Sequence, residues 1–274
     1  MNKILIAAAV CAVLFICIAA VPMIKKSKFK KMSGFSSFLC ALGLIVTGAG
    51  TALCIFASNY YHALPTAEKY LESSGDVKVK RLSDYCFFDG SGNDDAVIFY
   101  PGAKVEYTAY APLMYRLAES GIDCYVLEMP LNIAFFGINK ADKIIDLGSY
   151  KRYYLAGHSL GGVAASGYCA KNPDKAEGII FLASFPALEL GDDADVLSLY
   201  GSCDGVLDME KYEHGKAYFP EGAEEHCIEG GNHAGFADYG VQKGDNAADI
   251  SNEEQIDITA AYITDFISRS ESVS

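Results

Sequence analysis

A serine flanked by glycines stands between an apolar strand and a segment of helical composition. The stretch is Gly157-His158-Ser159-Leu160-Gly161, preceded by the apolar letters RYYLAG and continuing into LGGVAASGYCAK. A strand-to-helix turn this tight has no room for large neighbours, which explains Gly157 and Gly161. The Ser159 hydroxyl then projects at the sheet edge, and the Leu160 amide lies at the helix N-terminus, where it can stabilise an oxyanion. The pattern predicts a nucleophilic serine.

A serine hydroxyl is a poor nucleophile without a base, and the base needs a carboxylate to orient it. Asp204 comes just after an apolar strand, and His233 follows a shorter strand and two glycines. Alone, Asp204 is typical of a turn and His233 of a surface loop. Together with Ser159 they occupy successive strand-end loops in the order expected of a catalytic triad. Asp208 is the reserve acid.

A second oxyanion donor is expected from the loop after the first central strand. That loop contains the letters YPGAKVEYTAY, in which Gly102 permits the turn and Ala103 supplies the amide. Position alone does not separate Ala103 from Lys104. His158 is too close to Ser159 along the chain to be its base. We expect Lys104 to border the substrate pocket, and His158 either to border it or to act as a packing or hydrogen-bonding residue.

Two phenylalanines are further candidates for the pocket. Phe135 and Phe136 lie in the apolar segment MPLNIAFFGIN, at residues 129–139, which follows another strand end. They either wall an acyl pocket or begin a helix packed on the sheet, and the sequence does not decide between the two.

From residue 76 onward, short apolar runs alternate with amphipathic segments. The predicted strands are 96–102, 123–130, 152–157, 178–184 and 195–202, and the predicted helices are 110–121, 160–171 and 252–269. Continuous apolar strands alternating with helices indicate an α/β fold with a mainly parallel central sheet and helices on both faces. Ligands of such sheets bind beyond the carboxyl ends of the strands.

Residues 95–268 resemble the α/β-hydrolase superfamily, in particular its small dienelactone-hydrolase-like branch. The matching stretches are FYPGAKVEYTAYAPL, LAGHSLGGVAA, LYGSCDGV and IEGGNHAGFADYG. The resemblance implies the α/β-hydrolase fold, with Ser159 as nucleophile, Asp204 as acid and His233 as base in the hydrolysis of esters or lactones. Dienelactone hydrolases carry cysteine at the nucleophile position, so the serine found here favours an esterase. Members often carry a lid, but the short segment 185–194 predicts a largely capless site.

Two apolar segments precede this domain. Residues 4–22 and 36–57 are each close to the roughly 20 helical residues that cross a bilayer. Five lysines crowd the loop at 25–31, which predicts a cytoplasmic loop because positive charge is retained on that side. Residues 1–21 also fit a secretory signal peptide, but their lysine cluster follows the apolar run instead of preceding it. Two transmembrane helices are the favoured interpretation.

The sequence therefore divides into three parts. A membrane hairpin at 1–57 is followed by a linker at 58–75 and an α/β-hydrolase domain at 76–274, which we expect on the extracytoplasmic side. Beyond residue 57 the chain carries 16 basic and 35 acidic side chains, a formal net charge of −19. Such a domain repels nucleic acid, so no nucleic-acid partner is expected. The cysteines and histidines show no metal-ligand spacing, so neither metal nor cofactor is expected.

These observations predict a membrane-anchored serine hydrolase that cleaves a small-molecule or lipid ester. Two alternatives remain open at this point. One is an acyltransferase that passes the acyl group to an alcohol or amine through the same triad. The other is a catalytically inactive, hydrolase-like binding module, which would have no need of a complete Ser–Asp–His set with both oxyanion loops.

Overall fold

The computed structural model describes residues 11–18, 34–92 and 94–270. The chain divides into two compact units, Met1–Tyr60 and Tyr61–Ser274.

The first unit contains one long apolar helix. Helix α1 spans Gly34–Ser58, and residues 11–18 are also helical. Among the described residues, one segment is long and apolar enough to cross a membrane, Ser37–Ser58. Its 22 residues extend for about 33 Å. Most of the predicted first span, 4–22, and the whole lysine loop lie outside the described residues, so a pair of spans stays a prediction.

The described residues of the second unit form eight strands and six further helices, joined by loops and 3₁₀ turns. The strands are β1 Lys78–Arg81, β2 Tyr85–Asp89, β3 Asp95–Tyr100, β4 Asp123–Leu127, β5 Arg152–His158, β6 Gly178–Leu182, β7 Asp195–Gly201 and β8 Glu224–Ile228. The helices are α2 Pro65–Glu68, α3 Ala111–Glu119, α4 Asp142–Ile145, α5 Leu160–Cys169, α6 Met209–Gly215 and α7 Asn252–Ser270. The predicted strands and helices are all present, with ends shifted by a few residues.

The strands form one sheet in the order β1-β2-β4-β3-β5-β6-β7-β8. Strand β2 runs antiparallel to both of its neighbours, β1 and β4, and every other neighbouring pair is parallel. The carboxyl ends of six strands, β3 to β8, therefore meet at one edge. This arrangement confirms the α/β class and the mainly parallel sheet.

Helices cover both faces of the sheet because its central strands are apolar on both sides. Val97 and Phe99 of β3 belong to a core with residues of α3 and α7, whereas Ile98 belongs to a second core with residues of α5. Alternate side chains of a strand point to opposite faces, so one strand contributes to both cores. All six residues of β3 are buried. The sheet edge is thus held rigidly between two packed layers.

The predicted linker is largely part of the second unit. The Tyr61 amide donates to Lys104 O at 2.7 Å, and the Glu106 amide donates to Tyr61 O at 2.9 Å. A little further on, the Leu64 amide donates to Asp238 O at 2.9 Å. These bonds attach the segment that begins at Tyr61 to the domain, although the segment has no apolar pattern of its own. The structure therefore begins the domain at Tyr61 and not at residue 76.

Candidate active site

Ser159 occupies the junction between β5 and α5 in a strained conformation. Its backbone has φ 52° and ψ −127°, a combination that side-chain-bearing residues rarely adopt. Two hydrogen bonds hold it: the Ser159 amide donates to Leu182 O at 2.9 Å, and Ser184 Oγ donates to Ser159 O at 2.6 Å. Such strain persists only where the surroundings over-determine it, and it clusters at functional sites.

Three glycines make this junction possible. A Cβ atom at Gly157 would lie 2.5 Å from Gly162 N, and one at Gly161 would lie 2.1 Å from Tyr100 O. Gly162, which the sequence analysis did not single out, would place a Cβ 2.4 Å from Ser184 Oγ. Helix α5 therefore starts in contact with the sheet, and Ser159 is carried at its tip.

Asp204 and His233 form a buried pair on the loops after β7 and β8. His233 Nδ1 lies 2.8 Å from Asp204 Oδ2, and both side chains are 2% exposed. The other carboxylate oxygen, Oδ1, accepts the amides of Val206 at 2.8 Å and Leu207 at 2.7 Å. These bonds fix the carboxylate, so it can hold the imidazole in one orientation and stabilise the imidazolium form.

The outer nitrogen of His233, Nε2, is buried and has no hydrogen-bond partner in the described part of the chain. The Ser159 hydroxyl forms no hydrogen bond to it in this structure. Buried polar atoms are nearly always paired, so an orphaned imidazole nitrogen needs an explanation. Proton transfer is the chemistry for which such a nitrogen is suited, and catalytic hydrogen bonds are often long before substrate binds.

Two backbone amides near Ser159 are free of acceptors among the described residues. One belongs to Leu160, the first residue of α5. The other belongs to Ala103. The other amides of the same turn, in contrast, are all hydrogen-bonded. Gly102 N donates to Tyr110 Oη at 2.9 Å, Lys104 N to Asn132 O at 2.7 Å and Val105 N to Gly102 O at 3.3 Å. The Lys104 amide is therefore engaged and the Ala103 amide is not, a difference that the sequence did not show.

The four candidate pocket residues differ in their placement. Lys104 has φ 61°, and burial lowers the pKa of its amine from the ordinary value. Phe135 and Phe136 lie on a 3₁₀ stretch, Ala134–Ala141, with 47% and 61% of their surfaces exposed. That stretch buries Ala134, Gly137 and Ala141. The two rings are therefore not part of its packed face. The interpretation that they begin a helix packed on the sheet required them to be.

His158 is enclosed and does not line an open pocket. It is 1% exposed, and its Nδ1 lies 2.8 Å from Tyr110 Oη. Its ring packs on those of His233, at 4.6 Å between centroids, and Phe236, at 5.8 Å. Burial lowers the pKa of His158 well below its usual range, and the neighbouring His233 adds to this effect. His158 therefore stays neutral.

The competing groups have other roles. Asp208, the reserve acid, caps helix α6 by accepting the Lys211 amide at 3.2 Å and pairs with the Lys211 amine at 2.8 Å. His226 lies within β8, where its ring stacks on Tyr262 at 4.4 Å. Among the described residues no group of three or more His, Cys, Asp or Glu side chains is arranged to hold a metal ion.

Two polar residues that the sequence analysis missed hold the His233 loop. Gln255 of α7 is fully buried; its Oε1 accepts Asn232 N at 2.9 Å and its Nε2 donates to Asn232 O at 2.8 Å. Asp245 accepts the amides of Ala234 at 2.8 Å and Gly205 at 3.0 Å. Asp245 thereby joins the loop of the base to the loop of the acid. No sequence signal marks either residue, since both contacts are long-range.

A cavity of about 450 Å³ opens beside the same loop. Asn232, Ala234, Asp245 and Gln255 are among its lining residues, and Ser159 is not. The cavity therefore lies beside the residues that hold the His233 loop and does not adjoin Ser159.

Comparison with known proteins agrees with this geometry. A family model described as "Alpha/beta hydrolase family" matches residues 96–257, more than half of the chain. The chain belongs to the α/β-hydrolase family. The match covers all strands from β3 to β8 and every loop that carries a candidate catalytic group. It identifies the wider family, and assignment to the dienelactone-hydrolase-like branch stays a prediction. No curated protein matches the sequence significantly.

Solved structures share the α/β-hydrolase fold at low sequence identity. MGS-MChE2, an α/β-hydrolase enzyme from a sediment metagenome of the Mar Chica lagoon in Morocco, has a TM-score of 0.53 and 14% identity, over 71% of this chain and 99% of that one. Est1E from Butyrivibrio proteoclasticus, solved with ferulic acid, has a TM-score of 0.51 and 13% identity, over 70% and 96%. A variant Vigna radiata epoxide hydrolase has a TM-score of 0.53 and 12% identity, over 71% and 99%. At these identities the likeness concerns the fold alone.

The two hydrogen bonds by which Gln255 holds Asn232, here called the Gln255 clamp, can be tested by substitution. We expect Gln255→Met to lower the free energy of unfolding by about 1 to 3 kcal/mol, because it leaves two backbone groups of the half-buried Asn232 unpaired. Urea unfolding of the detergent-solubilised full chain, followed by tyrosine fluorescence since the chain has no tryptophan, measures this. Glu254→Met, at an exposed position of the same helix, is the matched control. Equal unfolding midpoints for the two variants would contradict the clamp.

Proposed function

We propose that the unit beginning at Tyr61 is a serine hydrolase that cleaves carboxylic esters through an acyl-enzyme. The buried Asp204–His233 pair carries the proposal, because its outer nitrogen is desolvated and unpaired. The strained Ser159 stands at the same edge of the sheet, on the loop after β5. Nucleophile, base and acid therefore follow β5, β8 and β7 of one rigid sheet.

In the first half of the reaction, His233 Nε2 takes the proton of the Ser159 hydroxyl as Oγ attacks the ester carbonyl carbon. The carbonyl oxygen becomes an oxyanion, which accepts hydrogen bonds from the Leu160 and Ala103 amides. Asp204 stabilises the imidazolium form of His233. The C–O bond to the alcohol then breaks, and His233 returns the proton to the leaving oxygen.

In the second half, a water molecule replaces the alcohol. His233 takes a proton from this water as its oxygen attacks the acyl carbon, and the same two amides hold the oxyanion. Collapse breaks the bond to Ser159 Oγ, which regains a proton from His233, and the carboxylic acid leaves. The groups end in their starting protonation states, so the cycle needs no cofactor.

The substrate proposed is a small-molecule or lipid ester that enters an uncovered site. Residues 183–194, between β6 and β7, contain no helix, as their short length led us to expect. Phe135 and Phe136 are exposed on the loop after β4, at the edge that carries Ser159. In this position they supply the apolar wall for the acyl chain. Est1E, which shares the fold, was solved with an aromatic acid, ferulic acid.

We propose that helix α1 and the apolar segment at 4–22 form a membrane anchor. The lysine-rich loop between them supports a domain on the extracytoplasmic side. Apolar side chains of α1 such as Phe38, Ile45 and Val46 are 61%, 68% and 61% exposed. A helix with this surface is not the core helix of a water-soluble domain, and a hydrocarbon environment satisfies it.

The activated serine can be tested by covalent labelling. We expect a fluorophosphonate probe to add one adduct to the solubilised full chain, seen by intact-mass spectrometry, and Ser159→Ala to abolish it. His233→Ala should slow labelling severely, because the hydroxyl loses its base. Ser120→Ala, at an exposed serine that caps α3, should label like the wild type. A folded wild-type chain that takes no adduct would refute the proposed function.

The assignment of Asp204 as the acid, with Asp208 as the alternative, can be tested by substituting each in turn. We expect Asp204→Asn to lower kcat on 4-nitrophenyl esters by about 10⁴-fold, because an amide leaves His233 in the wrong tautomer. Asp208→Asn should leave both kcat and stability nearly unchanged, because asparagine caps a helix about as well as aspartate does. Steady-state kinetics with a urea melt of each variant measures both quantities. Equal losses of kcat in the two variants would reject Asp204 as the acid.

The anchor can be tested by extraction. We expect the full chain to sediment with the membrane fraction and to remain there after washing with alkaline carbonate, because apolar helices hold it in the bilayer. A peripheral membrane protein in the same preparation serves as the control and should be released. Release of the chain itself into the wash would contradict an integral anchor.

A further inference from the structure

Tyr110 joins the two loops that carry the candidate oxyanion donors. It ends a 3₁₀ turn, Tyr107–Tyr110, directly before α3 and is fully buried. Its hydroxyl lies 2.9 Å from Gly102 N and 2.8 Å from His158 Nδ1. Gly102 adjoins Ala103, and His158 adjoins Ser159. One phenolic oxygen thus bridges the residues beside the second oxyanion donor and beside the nucleophile.

The direction of both hydrogen bonds follows from the available protons. Gly102 N–H can only donate, so Tyr110 Oη accepts from it. The phenolic hydrogen then has one acceptor among the described residues, His158 Nδ1. We assign the phenolic hydrogen to this acceptor, and since His158 is neutral its single ring proton is then on Nε2, a buried atom with no hydrogen-bond partner among the described residues. The order is therefore Gly102 N–H to Tyr110 Oη–H to His158 Nδ1, a relay with one proton for each bond.

The space around the relay is filled. A Cβ atom at Gly102 would lie 2.9 Å from His158 Nδ1 and 3.0 Å from Tyr110 Oη, so the turn lies directly against both side chains. Phe99 packs on the Tyr110 ring at 4.7 Å between centroids. Because these groups contact one another directly, a shift of one is transmitted to the others.

We propose that Tyr110 and His158 are positioning residues, which hold the Ala103 amide in register with Ser159 through this relay. The inference rests on the proposed hydrolase function. Oxyanion donors act only when they are fixed within a fraction of an ångström of the place where charge develops. The Ala103 turn is tied on its far side by the Lys104 amide, which donates to Asn132 O. The relay supplies the tie on the side facing the nucleophile.

Removal of the Tyr110 hydroxyl tests the relay. We expect Tyr110→Phe to lower the maximal rate of fluorophosphonate labelling of Ser159 by about 10- to 100-fold, as a displaced donor does. The probe concentration at half-maximal rate should change by less than about threefold, because ground-state binding does not use the oxyanion donors. In this labelling reaction, negative charge develops on the oxygen bonded to phosphorus, and the oxyanion donors stabilise it. The labelling rate therefore reports the position of the Ala103 amide directly.

Tyr212→Phe is the matched control. Tyr212 is also fully buried, and its hydroxyl is hydrogen-bonded to Ser198 Oγ at 2.8 Å and Glu225 Oε2 at 2.9 Å. Its substitution removes a buried hydroxyl of the same kind without contact to the Gly102 turn. We expect a loss of stability but an unchanged maximal labelling rate. A Tyr110→Phe rate equal to that of Tyr212→Phe overturns the proposal.

A pair of His158 variants separates hydrogen bonding from packing. Asn can place its side-chain oxygen near the position of His Nδ1, whereas Leu has a similar size and no acceptor. We expect His158→Asn to label within about threefold of the wild type and His158→Leu to match Tyr110→Phe. The double variant Tyr110→Phe/His158→Leu should lose no more than the larger single loss. Equal losses in His158→Asn and His158→Leu overturn the relay.

The outcome for the wild-type chain separates the two proposals. A wild type that is labelled at Ser159, with Tyr110→Phe labelled equally fast, overturns the relay and leaves the hydrolase function standing. A folded wild type that is not labelled at all overturns the hydrolase function and the relay with it.

Discussion

The first turn of helix α5 lies closer to the sheet than any side chain permits. Gly157, Gly161 and Gly162 each leave a Cβ position less than 3 Å from a backbone atom of another residue. This approach forces the chain to reverse within one residue, and Ser159 takes the strain. It also brings the helix N-terminus to the sheet edge, so its free amide and the serine hydroxyl arrive together. A substituent at any of these glycines would push the helix away and separate them.

Strain is concentrated at this edge of the molecule. Among the described non-glycine residues, positive φ angles occur at Lys104 after β3, Leu131 and Asn132 after β4, Ser159 after β5 and Ala183 after β6, with Ser91 elsewhere. Neighbouring strands thus end in unusual backbone, and two of these turns are bonded through Lys104 N and Asn132 O. Such conformations cost about 1–3 kcal/mol each and are retained where they aim particular groups.

The loops that carry the candidate catalytic groups can be located in the sequence, because their signals are local. A glycine-bounded serine, an Asp after a strand and a His after two glycines are each visible within a few residues. Strands β1 and β2 were not predicted. Strand β1 has the letters KVKR and is mostly exposed at the edge of the sheet, so neither hydrophobicity nor alternation reveals it.

The residues that hold the candidate catalytic loops in place could not be predicted from the sequence. Tyr110 meets His158 across 48 positions of the chain, and Gln255 meets Asn232 across 23. The chain has 18 tyrosines, and nothing near Tyr110 distinguishes it from the others before the fold brings it to Gly102. The choice between Ala103 and Lys104 was hidden for the same reason, since the bond that engages the Lys104 amide comes from a different loop.

The attachment of Tyr61 has a consequence for how this chain can be shortened, by evolution or by truncation. Tyr61 forms backbone bonds to Lys104 and Glu106, on the C-terminal side of the oxyanion turn. A truncation at residue 76, where the composition changes, would keep every strand yet strip that turn of a flanking segment. A membrane-free relative that preserves the site must therefore retain some fifteen residues ahead of the boundary that the composition indicates. A fragment that keeps these backbone bonds begins just after the end of the apolar helix.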